Sequence, residues 1–204
     1  MVACGIWAPA VALGVFAVAS ARRPGYDHVA DTLSKLNAQG TDDWLWPAGL
    51  VTYAALMLLF GAGLRRRFGF RVPGRILSGA VIVHAVLMVG VAVFRDDVRP
   101  GGFFTPEGAL HDYLSGMAFA ALVVAMLGAV ALASVDQALR SLRTATLSVA
   151  IVMTVVGIAF LFTPPEVQGI PQRAFVTLAA FWVVFVAARS RRPTNETSAL
   201  VDGV

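Results

Sequence analysis

Apolar residues in this chain come in long blocks separated by short polar stretches, not in the one-sided stripes of water-facing helices. A helix rising about 1.5 Å per residue needs about 20 mostly apolar residues to cross a hydrocarbon layer about 30 Å thick. Six blocks meet that need, at approximately residues 3–20, 45–64, 76–94, 113–134, 144–163 and 174–188, the last being the shortest. The pattern predicts an all-α, polytopic transmembrane helical bundle of about six membrane-spanning helices. It forms one domain over residues 1–192, followed by a polar, disordered tail over 193–204.

The connections are unequal, and polarity concentrates in the first, third and fifth. The first, residues 21–44, is long enough for a short helix from about Tyr26 to Asn37, ended by Gln39-Gly40. On such a helix Asp27, Asp31 and Ser34 share one face and Val29, Leu33 and Leu36 another. It is expected to lie along the membrane surface with its apolar side down. The third connection is broken by Pro100-Gly101-Gly102 and Pro106 around Phe103 and Phe104, and reads as irregular. The fifth, Pro164 to Pro171, reads as a rigid turn. Trp44 and Trp46 fall where an aromatic belt would anchor the second helix.

Composition removes the soluble alternatives. Only 14% of the 204 residues are charged, against about 25% in a soluble domain, so too little charge exists to coat a water-facing surface. The net charge of +4 does not indicate a nucleic-acid partner, because the arginines follow topology. With both termini cytoplasmic, the inner stretches hold ten basic residues, including Arg65, Arg66, Arg67, Arg71 and Arg75, and the outer loops hold six. Acids run the other way, nine outside and three inside. The expected location is the cell membrane, multi-pass. Ala19-Ser20-Ala21 has the small residues of a signal-cleavage site, but no basic stretch precedes the first apolar block, so a retained first helix is expected. Cys4 is the one cysteine, which rules out an intramolecular disulfide.

Candidate chemistry gathers at the outer helix ends: Asp27, His28 and Asp31; Asp96 and Asp97; His111 and Asp112; Gln172 and Arg173. Loop charges are ordinarily just solvated. Asp97, His111, Asp112 and Arg173, however, abut apolar helix ends where desolvation is costly without partners. Arg173 is the sharpest case, because it stands near a helix N-terminus, where the macrodipole disfavours a cation. A carboxylate partner is expected for it, Asp97 first and Asp31 second. His84 lies near the bilayer midplane, where an ionisable side chain marks a functional site by default, or else hydrogen-bonds Thr52 or Thr154 between helices. Metal binding is not expected, since there is no His-x-x-x-His, no His-Glu-x-x-His and no cysteine ligand set. Ser34 and Ser115 lie near His28 and His111 in sequence, but no Gly-x-Ser-x-Gly elbow is present. No cofactor is expected.

In order and position, several of these residues resemble a known family. The Thr32-Leu33-Ser34-Lys35-Leu36 stretch resembles an Ile-Ser-x-Leu motif after the first helix, and Phe94 to Asp97 a Phe-Pro-x-Asp motif at the end of the third. His111-Asp112 then opens the fourth helix, and Gly169-Ile170-Pro171-Gln172-Arg173 resembles Gly-Leu-x-Gln-Arg before the sixth. The chain thus resembles the domain of unknown function 998 family of six-helix bacterial membrane proteins, departing from it with Arg95 where the family carries proline. The resemblance implies a fold and an outer-face polar cluster of Ser34, Asp97, His111, Asp112, Gln172 and Arg173. It implies no activity.

Two readings of the cluster follow. In the first, a membrane-embedded enzyme acts on a membrane lipid or other hydrophobic small molecule: Asp97 or Asp112 orients His111 as general base or acid, and Arg173 stabilises developing negative charge. In the second, the protein is a non-catalytic binding, transport or accessory protein whose cluster ties helix ends together. A catalytic cluster must line an accessible cavity, whereas a structural network is sealed by its own side chains.

Overall fold

The computed structural model describes residues 1–39, 43–97 and 105–191. The Pro100-Gly101-Gly102 break with Phe103 and Phe104, together with the tail from Pro193, lies outside the described residues. Among the described residues seven α-helices follow one another: α1 (Cys4–Arg22), α2 (Leu45–Phe68), α3 (Val72–Val93), α4 (Pro106–Ala133), the four-residue α5 (Gln137–Arg140), α6 (Arg143–Leu161) and α7 (Gly169–Arg189). All but α5 are long and apolar enough to cross a membrane, and there is no strand among the described residues.

Each long helix packs on its neighbour in the chain, and α7 closes on α1, so the six form a ring in the order α1, α2, α3, α4, α6, α7. The tightest seams join α3 to α2 and α4. Gly128 shows why, since a Cβ there would stand 2.8 Å from the Leu77 backbone nitrogen. Small residues let backbones approach where water offers no hydrophobic drive between helices. The inner half of the ring is filled by Met57, Phe60, Leu64, Leu77, Val81, Met126 and Met153, all fully buried. A second cluster of Ala19, Leu33, Leu36, Trp46, Leu50, Val91 and Ala92 closes the outer half. "Outer" denotes the end bearing segments 23–44, 94–105 and 162–168, after the charge distribution.

Three expectations change in the structure. The expected helix over Tyr26 to Asn37 is only a 3-10 turn, Leu33–Asn37, because Asp27 and Asp31 divert the preceding backbone. Asp27 Oδ1 accepts the Val29 N–H at 2.8 Å and Asp31 Oδ2 accepts the Asp27 N–H at 2.9 Å, local bonds that compete with helix formation. Its second half does not lie on the surface either, since Leu33, Leu36 and Asn37 are buried in the top of the ring, while Asp27, His28 and Val29 stay exposed. Trp46 is buried with them, leaving Trp44, 71% exposed, as the one of the pair in an anchor position. Finally, α4 and α7 begin earlier than their apolar blocks, at Pro106 and Gly169. For α4 the start is local chemistry: Thr105 Oγ1 caps the Gly108 N–H at 3.0 Å, with proline and Glu107 in the first turn.

Candidate functional site

The polar residues of the outer end divide into two groups. One group fastens segment 23–39 to the ring. Arg173, on the second turn of α7, donates from Nη1 to the Asp31 carbonyl and from Nη2 to the Tyr26 hydroxyl, both at 2.8 Å, and its guanidinium lies over the Phe16 and Tyr26 rings. Tyr26 in turn donates to the Thr32 carbonyl at 3.0 Å. The expected Arg173–Asp97 pair is therefore absent. A carbonyl and a phenol take the fork instead, because the folded segment brings them to α7 while Asp97 is held elsewhere. Gly169 permits this approach, since a Cβ there would stand 2.3 Å from Arg173 Nη1 and 2.6 Å from the Asp31 carbonyl. Lys35 pairs with the Asp31 carboxylate at 2.7 Å, and Arg23 Nη1 donates to the Lys35 carbonyl. Partial burial pushes the Asp31 carboxyl up, but Lys35, the Asp27 N–H and Arg23 outweigh it, and its pKa lies below the usual value. Burial raises that of the Tyr26 phenol, against the opposing pull of Arg173.

Asp97 belongs to the same framework. Its Oδ1 accepts from Thr105 Oγ1 at 2.6 Å and from Gln39 Nε2 at 3.2 Å, and its Oδ2 accepts the Thr105 N–H at 3.0 Å. It so ties the end of α3 to the start of α4, and Gly108 makes room for it, a Cβ there falling 2.2 Å from Oδ2. With Arg95 in the place of proline the chain leaves α3 extended at Phe94, and Asp97 still reaches Thr105. Asn37 donates from Nδ2 to the carbonyls of Val91, Ala92 and Phe94, at 3.3, 3.1 and 3.4 Å, satisfying the last carbonyls of α3.

The second group is small. His111, on α4 and only 1% exposed, hydrogen-bonds the Phe94 carbonyl through Nδ1 at 2.8 Å and Ser34 Oγ through Nε2 at 3.1 Å. A carbonyl can only accept, so in the neutral imidazole the proton sits on Nδ1 and Nε2 accepts from the Ser34 hydroxyl. The expected orienting carboxylate is replaced by the Phe94 carbonyl. Asp97 reaches His111 only indirectly, by fixing the turn that presents that carbonyl.

Two cavities meet at Ser34, and His111 lines the narrower of them. A narrow one of about 110 Å³ runs inward between α1, α2, α3, α4 and α7, lined by Phe16, Trp46, Leu50, Met88, Leu122 and others. A wider one of about 730 Å³ lies between α4, α6 and α7, with Lys35, Asp96, Asp97 and Asp112 at its outer end. Ser34, Ser115, Phe119 and Gln172 line both. Gln172 accepts the Leu33 N–H through Oε1, which directs its amide NH2 away from that contact. The Ser115 hydroxyl, at i+4 from His111, is buried and makes no hydrogen bond among the described residues.

The remaining candidates are placed apart. His28 and Asp27 are exposed and line neither cavity; His28 packs edge-on to Phe16 and Tyr26. Asp112 is exposed on the wall of the wider cavity. His84 bonds neither Thr52 nor Thr154. Its Nδ1 donates to the Ala118 carbonyl at 2.9 Å, so Nε2 accepts from the Tyr53 hydroxyl at 2.8 Å, joining α2, α3 and α4. It is outside the Ser34–His111 pair yet lines the inner end of the same narrow cavity. Among the described residues, no three His, Cys, Asp or Glu side chains converge as metal ligands. Tyr26, Asn37, Gln39 and Thr105 have structural roles that hydropathy and spacing do not signal. Only the Thr105-Pro106-Glu107 start carried a readable cue.

A ring of six helices long and apolar enough to cross a bilayer defines a multi-pass membrane protein. The chain belongs to the family described as "Protein of unknown function (DUF998)", whose model matches residues 6–189. No curated protein and no solved structure matches it.

Proposed function

We propose that the protein is a membrane-embedded enzyme of the cell membrane that cleaves an ester-type bond in a lipid or similar hydrophobic molecule at the outer leaflet, with Ser34 as nucleophile and His111 as its base. The observation that carries this reading is the Ser34 Oγ to His111 Nε2 bond of 3.1 Å at the junction of two cavities. A hydroxyl next to a base whose tautomer is held by a third group is the arrangement that activates a weak nucleophile. Ser34 Oγ attacks the acyl carbon as its proton passes to His111 Nε2. The carbon–oxygen bond to the alcohol then breaks, and the departing oxygen takes that proton. Water, delivering its proton to the same nitrogen, hydrolyses the acyl-serine; the Ser34 oxygen takes the proton back, and a carboxylic acid and an alcohol leave. The Ser115 O–H and the Gln172 amide are the donors at hand for the developing oxyanion.

A neutral carbonyl behind His111 fixes its tautomer but stabilises the imidazolium less than a carboxylate would. Arg173 and Asp97 fit the non-catalytic role, since their recorded bonds tie segments together and Arg173 lines neither cavity. Outer-leaflet action follows from the arginine count, and reporter fusions test it: one after Arg67 must report from the cytoplasm and one after Asp97 from outside. The chemistry is tested by labelling the full-length protein in micelles with an alkyl fluorophosphonate. Ser34 is labelled in the native protein, and His111→Gln lowers the rate by about 100-fold or more, the usual worth of a positioned base. Native protein that labels no faster at Ser34 than the heat-denatured chain overturns the reading.

A further inference from the structure

Resting on that reading, we infer that the narrow cavity is an acyl-chain gauge: the substrate is an ester of one unbranched acyl chain of medium length, lying between Ser34 and the Tyr53–His84 pair, while the alcohol part occupies the wider cavity. Three observations lead there. Ser34 stands where both cavities meet, so a substrate whose carbonyl reaches Ser34 must divide its two halves between them. The narrow side is walled mostly by apolar groups, with Ser34, His111, Ser115 and Gln172 at one end and Tyr53 and His84 at the other. Tyr53 and His84 satisfy each other and the Ala118 carbonyl. They ask nothing of a ligand, and an alkyl terminus can abut them without stranding a polar group.

The floor sets the length. His84 meets α4 at Ala118, seven residues beyond His111, or about 10 Å along the helix. With carbon–carbon bonds of ~1.5 Å advancing an extended chain by ~1.3 Å each, that depth holds about eight carbons. Beyond the floor, Met57, Val81 and Met126 are fully buried and leave no passage. The wall at α1 includes the small Ala12 with the half-exposed Leu13 beside it, which makes this side the entry for a chain coming from the bilayer, while Ala179 and Ala180 line the tunnel from α7.

Two measurements on the full-length protein in micelles test the inference separately from the chemistry. The first is the rate of cleavage of p-nitrophenyl esters of two to sixteen carbons. Each methylene that enters adds roughly a factor of four, so the rate constant at limiting substrate rises to about eight carbons and then stops rising. Ala180→Phe, which fills the tunnel, moves that break to a shorter chain. The second is binding, read from quenching of Trp46, which lines the tunnel, by methyl esters of octanoic and palmitic acids brominated at mid-chain. Trp46→Phe supplies the background from the other three tryptophans. The octanoate quenches the Trp46 component in native and Ser34→Ala protein alike, and the palmitate does so several-fold less. Quenching in Ser34→Ala without ester cleavage by the native protein upholds the chain site and overturns the hydrolase. Cleavage with no break in the length series, or equal quenching by both esters, overturns the gauge and leaves the hydrolase standing.

Discussion

Removing Arg173 should release segment 24–39 from the ring, and the size of the effect follows from its contacts. The guanidinium makes two hydrogen bonds of 2.8 Å, to the Asp31 carbonyl and the Tyr26 hydroxyl, and covers two rings. Bonds from a charged donor contribute about 1.5–3 kcal/mol each, and partly exposed cation–π contacts about 0.5–1 kcal/mol each. In Arg173→Ala water can reach the freed carbonyl and phenol, so the net loss is smaller than the sum, about 2–4 kcal/mol of segment docking. At 1.36 kcal/mol per tenfold change, amide protection over 24–39 should fall roughly 30- to 1,000-fold. Arg173→Lys keeps the charge but not the planar fork, and one ammonium serves one of the two acceptors, so about half the effect is expected. Hydrogen exchange of the micelle-bound protein, read by mass spectrometry on peptides from this segment, measures both. A double-mutant cycle with Tyr26→Phe adds a pairwise check, with a coupling of about 1–2 kcal/mol expected. Unchanged exchange over 24–39 in Arg173→Ala, or strict additivity with Tyr26→Phe, would refute the assignment of Arg173 as the clamp of this segment.

Two further outcomes follow from the same contacts. Tyr53→Phe leaves His84 Nε2 without its donor and should cost about 0.5–2 kcal/mol, the range of interhelical hydrogen bonds in membranes, seen as a lower melting temperature with Ser34 labelling retained. Asp31 has a depressed folded pKa, so its stabilisation is present above its unfolded pKa near 3.8 and is lost as pH falls through the folded value. Protection over 24–39, taken relative to the intrinsic exchange rate at each pH, should fall below about pH 4 and do so less in Asp31→Asn, whose segment is already loosened at neutral pH.

The six spans were legible in the sequence because bilayer thickness imposes a length and composition that no tertiary context changes. Leu45 to Leu64 and Ile76 to Phe94 reappear as α2 and α3 with ends shifted by a few residues. Helix starts were less legible, because a spanning block measures hydrocarbon depth, while α4 and α7 extend past it as capped or glycine-started turns. That polar residues after α1, at the end of α3 and at the starts of α4 and α7 meet at one end follows from chain direction alone: alternate connections of a six-span chain share a side. Which of them touch does not follow. Arg173 in isolation calls for a carboxylate, yet a carbonyl and a phenol serve it, because segment 23–39 folds into the ring and Thr105 has already taken Asp97. His111 in isolation is one histidine among three. It becomes a hydrogen-bond acceptor facing Ser34 only when the Phe94 carbonyl fixes its proton on Nδ1, and that depends on how α3 ends against α4. Sequence determined how many times the chain crosses and which side chains gather at the outer end. Tertiary structure decided their partners, because hydrogen-bond partners are settled by distances of a few tenths of an ångström between segments far apart in the chain.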